Sequence, residues 1–112
     1  CALMKPAEVR LTPELRALHT SDPRVPVVAN VDAEPKRTAA ASIDALIKQV
    51  ASPVRWEDVV RRLAQEGVTR YVEVGPGKAL SGMIKRIATG ATILNVEGPD
   101  NLPDLAALEA LS

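Results

Sequence analysis

The chain has 112 residues, a formal net charge of zero, and Trp56 and Tyr71 as its only aromatic side chains. That length suits one small domain with a single core. A balanced charge without a set of stacking rings argues against nucleic-acid binding, and no apolar run approaches the roughly 20 residues of a membrane span. The single cysteine, Cys1, has no partner within the chain, which fits a reducing cytoplasm. The first residue is Cys1 and not a methionine, so the chain is expected to be a piece of a longer polypeptide.

Residues 4–18 carry Ala7, Leu11, Leu15 and Leu18 on one helical stripe. Pro6 suits a first turn, whereas Pro13 falls inside the pattern and should kink the helix or restart it with Thr12 as N-cap. His19 follows at the helix end, where a histidine is ordinarily solvated. Residues 27–31, Val-Val-Ala-Asn-Val, read as a strand covered on both faces, and 32–36 as loop. A second helix is expected over 38–51, burying Ile43, Leu46, Ile47 and Val50, and ending at Ser52-Pro53. A third starts near Arg55, buries Trp56, Val59, Val60 and Leu63, and stops at Gly67.

The rest of the chain is organised around Tyr71-Val72-Glu73-Val74-Gly75-Pro76-Gly77-Lys78. A strand rich in β-branched residues stops at Gly-Pro-Gly, and Leu80, Met83, Ile84 and Ile87 then recur at helical spacing. The glycines are expected to allow a turn where a Cβ would clash, with the helix N-terminus behind it left open to a partial negative charge. Residues 91–96 read as another buried strand. Asp100 or Asn101 caps a last helix holding Leu102, Leu105, Leu108 and Leu111. Three strands among about five helices give an α/β fold with a mostly parallel sheet. Three strands alone leave apolar edges unpaired, so more sheet is expected upstream.

Phosphate-binding motifs fit poorly. A P-loop needs glycine where Val72 stands and Ser or Thr where Ala79 stands. In a dinucleotide fingerprint Gly75 and Gly77 match, with Glu97 twenty residues beyond Gly77, but Leu80 occupies the third glycine position. A turn that needs glycine for geometry alone remains the plainer reading. The chain has no Gly-x-Ser-x-Gly elbow and no His or Cys cluster with metal-ligand spacing. Nothing supplies a base for Cys1 as an N-terminal nucleophile.

Four blocks carry a resemblance: Cys-Ala-Leu-Met-Lys-Pro-Ala from Cys1, Pro-Val-Val-Ala-Asn-Val from Pro26, Gln-Val-Ala-Ser-Pro-Val-Arg-Trp from Gln49, and Glu-Val-Gly-Pro-Gly-Lys from Glu73 with Lys85-Arg86-Ile87. In this order and spacing the chain closely resembles the C-terminal part of the malonyl-CoA:acyl carrier protein transacylases. The resemblance implies that residues 1–112 are the C-terminal part of an α/β-hydrolase-like large domain, incomplete alone. Such enzymes move malonyl from coenzyme A to the phosphopantetheine thiol of acyl carrier protein in fatty-acid biosynthesis, through a serine acyl-enzyme. Serine, substrate arginine and oxyanion hole would lie upstream, and the base histidine immediately before Cys1. Gln49 would orient that histidine through its backbone carbonyl. Gly75, Gly77 and Ala79 would form part of the active-site wall, and Lys85 and Arg86 would face an acidic carrier protein.

The same resemblance implies a cytoplasmic enzyme, monomeric when complete, with malonyl-CoA as substrate and no bound cofactor or metal. Its partners would be acyl carrier protein and the upstream part of its own polypeptide, and the 112-residue chain should be inactive alone. The alternative is a stand-alone α/β ligand-binding or interaction domain using the Gly75-Pro76-Gly77 turn.

Overall fold

The computed structural model describes residues 1–110, with the side chains of residues 1–108. The described residues form an α/β structure in two compact units, Cys1–Arg62 and the part from Leu63 onward. No helix is long and apolar enough to cross a membrane among the described residues.

In the first unit a 3-10 turn, Ala2–Met4, leads into α1, Lys5–Ala17. The helix runs on through Pro13 and does not restart there. Proline removes the N–H that would have bonded the Val9 carbonyl, and the neighbouring Thr12 hydroxyl donates 2.7 Å back to the Glu8 carbonyl. Thr12 is thus a mid-helix residue and not an N-cap. Its apolar stripe is only partly covered: Leu15 is half-buried, whereas Leu11 and Leu18 are 39% and 58% exposed. His19 is exposed beyond the helix end.

The strand expected over 27–31 is shorter and pairs differently. β1, Val27–Val28, lies antiparallel to β2, Pro35–Lys36, in the stretch read as loop. Asp32 makes the reversal. Its carboxylate accepts from the Glu34 N–H at 3.0 Å and from Lys36 Nζ at 2.7 and 2.8 Å. Ala33 between them takes a left-handed φ of 57°, which sequence pattern does not announce. The Lys36 ammonium, and secondarily the Glu34 N–H, hold the Asp32 carboxyl below its ordinary value against the opposing effect of burial.

α2, Ala39–Gln49, starts as expected, with the Thr38 hydroxyl accepting from the Ala41 N–H at 3.1 Å. It packs on α1, and Arg16 reaches Asp44 at 2.9 Å. Ala45 and Ile47 are its buried residues, while Leu46, expected inside, is 39% exposed. α3, Trp56–Gln65, buries Val59 and Val60.

The second unit opens on the end of α3. Gly67, at φ +90°, donates to the Ala64 carbonyl while Val68 donates to the Leu63 carbonyl, both at 3.0 Å. This pair of bonds closes the helix on a left-handed glycine. β3, Arg70–Val74, α4, Ala79–Ile87, and β4, Thr92–Val96, follow as one strand–helix–strand unit with parallel strands. A 3-10 turn, Pro99–Asn101, precedes α5, Leu102–Ala110, which packs on β4. Leu111, assigned to that helix on pattern, lies outside the described residues. Tyr71, Ser81 and Ile84 are the unit's buried side chains among those described. Among the described residues, four short strands in two separate ladders, one parallel and one antiparallel, stand in place of the three strands of a mostly parallel sheet.

Candidate functional site

The 75–78 turn sits at the carboxyl end of β3. Gly75 has φ +130° and Gly77 φ +84°, a region that L side chains rarely adopt. No atom lies within 4 Å of where a Cβ would be at either position. The glycines are thus required by backbone conformation and not, as expected, by crowding.

The N–H groups of Gly75 and Gly77 do not stand open either. Gly75 donates to the Val96 carbonyl at 2.9 Å, extending the ladder, and Gly77 donates to Glu97 Oε1 at 2.9 Å. Glu73 turns its carboxylate onto the start of α4. Its oxygens accept from the Ser81 N–H at 2.9 Å and the Leu80 N–H at 3.3 Å. The Ser81 hydroxyl is 2.6 Å from both Glu73 Oε1 and Asn95 Oδ1. Having one proton, it serves one acceptor at a time. The Ser81 hydroxyl foremost, then the two backbone N–H groups, keep the Glu73 carboxyl below its ordinary value against desolvation.

Two of the protein's own carboxylates therefore occupy the N–H groups of Gly77, Leu80 and Ser81. Glu97, placed on sequence where a dinucleotide fold reads a ribose, is bound to Gly77 instead. Lys78 is the exposed N-cap residue of α4 and makes no side-chain capping bond.

Sequence reading missed Glu73, Ser81, Asn95 and Glu97 as a set. A signal was present: Glu73 and Asn95 are polar residues inside otherwise apolar strands, and the parallel register sets them opposite one another.

Among the residues singled out on sequence, Gly75, Gly77 and Ala79 come together at this turn. Lys85 and Arg86 occupy the last turn of α4 and are exposed. Six residues beyond Ala79, Lys85 stands about 9 Å further along the helix axis. There the two cations complement the C-terminal end of the helix dipole.

Gln49, in the first unit, is the last residue of α2. Its carbonyl accepts from the Ser52 N–H at 3.3 Å, and the Ser52 hydroxyl donates to the Lys48 carbonyl at 2.5 Å. The Gln49 oxygen keeps a second lone pair. The Cys1 backbone nitrogen donates to the Ala51 carbonyl, so the first residue lies against the end of this helix. A cleft of about 470 Å³ opens there, lined by Cys1, Lys5, Glu8, Lys48 and Ser52 among others. The buried indole N–H of Trp56, just beyond, finds no acceptor among the described residues.

No family model matches the chain. It is 46% identical over 99 residues to the malonyl CoA-acyl carrier protein transacylase of Salmonella typhimurium, covering 88% of this chain and 32% of that one. In structure it is similar to an acyl carrier protein S-malonyltransferase from Vibrio cholerae (TM-score 0.83, 39% identity, 94% of this chain and 34% of the other). It is equally similar to PlMCAT, a malonyl-transacylase solved in complex with its type II polyketide acyl-carrier protein AntF (TM-score 0.83, 38% identity, 98% and 35%). The chain spans about a third of the length of the curated relatives it matches. Its homologues are malonyl CoA-acyl carrier protein transacylases, and the resemblance read from its four sequence blocks extends along nearly the whole chain.

Proposed function

We propose that the chain is the C-terminal segment of a cytoplasmic malonyl-CoA:acyl carrier protein transacylase. It would supply part of the active-site wall and the carbonyl that orients the base histidine. The observation that carries this reading is agreement along nearly all of the chain with solved transacylases, at a TM-score of 0.83. In the reaction an upstream serine attacks the thioester of malonyl-CoA, with its proton passing to the histidine and the coenzyme thiol leaving. The phosphopantetheine thiol of the carrier protein then takes the malonyl group from the serine. The chemistry uses protein side chains and substrate alone, with no resident cofactor.

The end of α2 supports the role of Gln49. The Cys1 nitrogen bonds Ala51, two residues beyond Gln49, so a histidine attached to Cys1 starts its path beside this helix end. An imidazole N–H donated to the free lone pair of the Gln49 carbonyl fixes the tautomer and leaves the other nitrogen to accept the serine proton. At the Gly75-Pro76-Gly77 turn the Gly77 N–H is already held by Glu97, which disfavours the stand-alone ligand-binding alternative there.

The complete polypeptide is expected to transfer labelled malonyl from coenzyme A to holo acyl carrier protein, and the 112-residue chain alone to transfer none. Failure of the complete polypeptide, or malonyl-carrier formed by the isolated chain above a no-enzyme control, overturns the reading.

The exposed Lys85 and Arg86 form part of the proposed carrier-docking face. Carrier proteins are acidic, so Lys85→Glu should raise KM for the carrier by about threefold to tenfold and leave coenzyme A ester hydrolysis unchanged. Equal KM and equal salt dependence for variant and wild type would mean that the two cations are simply solvated.

A further inference from the structure

We infer that Glu73 and Glu97 are positioning residues for the 75–78 turn: their carboxylates, from the ends of two adjacent parallel strands, hold its backbone and the first turn of α4 in place for acyl transfer. This role rests on the transferase reading, in which that turn walls the acyl site.

The turn cannot hold itself. Gly75 and Gly77 are the residue type with the widest conformational freedom, and the space beside both is open. Within this chain no neighbour bears on the Cβ side of either glycine, and hydrogen bonds hold the backbone. The Gly75 N–H continues the ladder to Val96 at 2.9 Å, but beyond it the ladder has ended. From there Glu97 takes the Gly77 N–H at 2.9 Å, and Glu73 takes the N–H groups of Leu80 and Ser81 on the far side of the turn.

Both carboxylates are themselves fixed. The Glu97 N–H donates to Asn101 Oδ1 at 3.0 Å, and Asn101 in turn donates its own N–H to the Gly98 carbonyl at 3.1 Å. Glu73 belongs to β3, and its partner Ser81 is buried. Hydrogen bonds to a charged acceptor are about twice as strong as neutral ones. Filling the donors from within also turns away phosphate: two carboxylates at the turn repel the diphosphate of a coenzyme.

The two glutamates are not equivalent. Glu97 serves one donor, a task that a glutamine carbonyl can also perform. Glu73 spreads three donors over two oxygens, and a glutamine would point its own N–H groups at one of them.

The test uses the complete polypeptide with Glu97→Ala, Glu97→Gln and Glu73→Gln. Turnover is measured per acylatable serine, so that loss of folded protein does not count. The amide proton shifts of Gly77 and Ser81 are recorded in parallel. Glu97→Ala should lower kcat per site by about tenfold or more, with KM for malonyl-CoA within about twofold, as misplacement of a wall by a fraction of an ångström implies. Glu97→Gln should restore most of that loss, and Glu73→Gln should behave like Glu97→Ala. The Gly77 amide should move upfield in Glu97→Ala alone, and the Ser81 amide in Glu73→Gln alone.

Unchanged turnover per site in Glu97→Ala overturns the positioning role, as does a Gly77 amide that ignores Glu97. Should Glu73→Gln fold poorly, Glu97→Ala decides, because it changes an exposed residue. A wild-type protein that transfers no malonyl overturns the transferase reading and the positioning role with it. That outcome is told apart by amide shifts that still follow the two carboxylates.

Discussion

Deleting Val50 from the complete polypeptide should lower malonyl transfer by about a hundredfold or more, roughly 3 kcal/mol of barrier, while Gln49→Ala should stay within about tenfold. The contrast follows from which atom of Gln49 is proposed to act. A backbone carbonyl survives replacement of its side chain, so Gln49→Ala removes only packing at a half-buried position.

Deletion of Val50 acts on the main chain. Four bonds meet within a few residues there: Val50 N–H to Ile47, Ser52 N–H to Gln49, the Ser52 hydroxyl to Lys48, and Cys1 to Ala51. One residue fewer moves each following group by about 1.5 Å and 100° of helical rotation, so the bonds cannot all reform. The carbonyl then no longer faces the imidazole, and an error of about 1 Å near the reacting groups costs on the order of 10²-fold. Stopped-flow acylation, with thermal unfolding of the same samples, checks both variants. A folded Gln49→Ala protein that forms no acyl-enzyme would assign the role to the side chain and sink this account.

Gly75→Ala is expected to destabilise the complete protein by about 1–3 kcal/mol, the usual range for an L residue forced into a glycine conformation. The whole cost is conformational, since φ is +130° and no neighbour would be struck. Gly82→Ala provides the opposite case seven residues further on. Gly82 lies inside α4 without a positive φ, and a Cβ there also meets open space. Alanine should stabilise it by about 0.4–1 kcal/mol, through helix propensity and a less flexible unfolded chain. Urea midpoints for the two variants should move in opposite directions. Two losses of similar size would mean that steric room and not φ distinguishes these glycines.

How much was legible in the sequence depended on the range over which each signal acts. β3, α4 and β4 stand where strand composition and helical spacing put them, because those signals lie within a few residues. The same holds for the Thr38 cap of α2 and the glycine stop after α3. β2 was missed because its reversal depends on one side chain, Asp32, and on an alanine in a left-handed conformation. The helix does not restart after Pro13 because proline removes one hydrogen bond without forbidding a helix whose other bonds remain.

Leu11, Leu46 and Leu80 expose a different limit. An apolar stripe names a face but not the surface that covers it, and all three are more than a third exposed. At the turn, the glycines were visible and their clamps were not. Glu73 reaches its donors seven and eight residues ahead, across the turn, and Glu97 its own twenty behind, which depends on the parallel pairing of β3 with β4.

That register has a consequence for the fidelity of strand pairing while the chain folds. Apolar β-branched strands mispair readily, since Val, Ile and Leu tolerate one another in many alignments. In the native ladder Glu73 stands opposite Asn95. A slip by a single residue turns every side chain of the strand to the other face. A slip of β3 would turn Glu73 away from the α4 donors, and a slip of β4 would turn Asn95 away from Ser81, so either breaks the polar set. The native alignment is thus the one in which both strands can close over the helix with that set intact, and a trio of polar side chains serves as the checkpoint against misaligned forms of an otherwise permissive apolar pair.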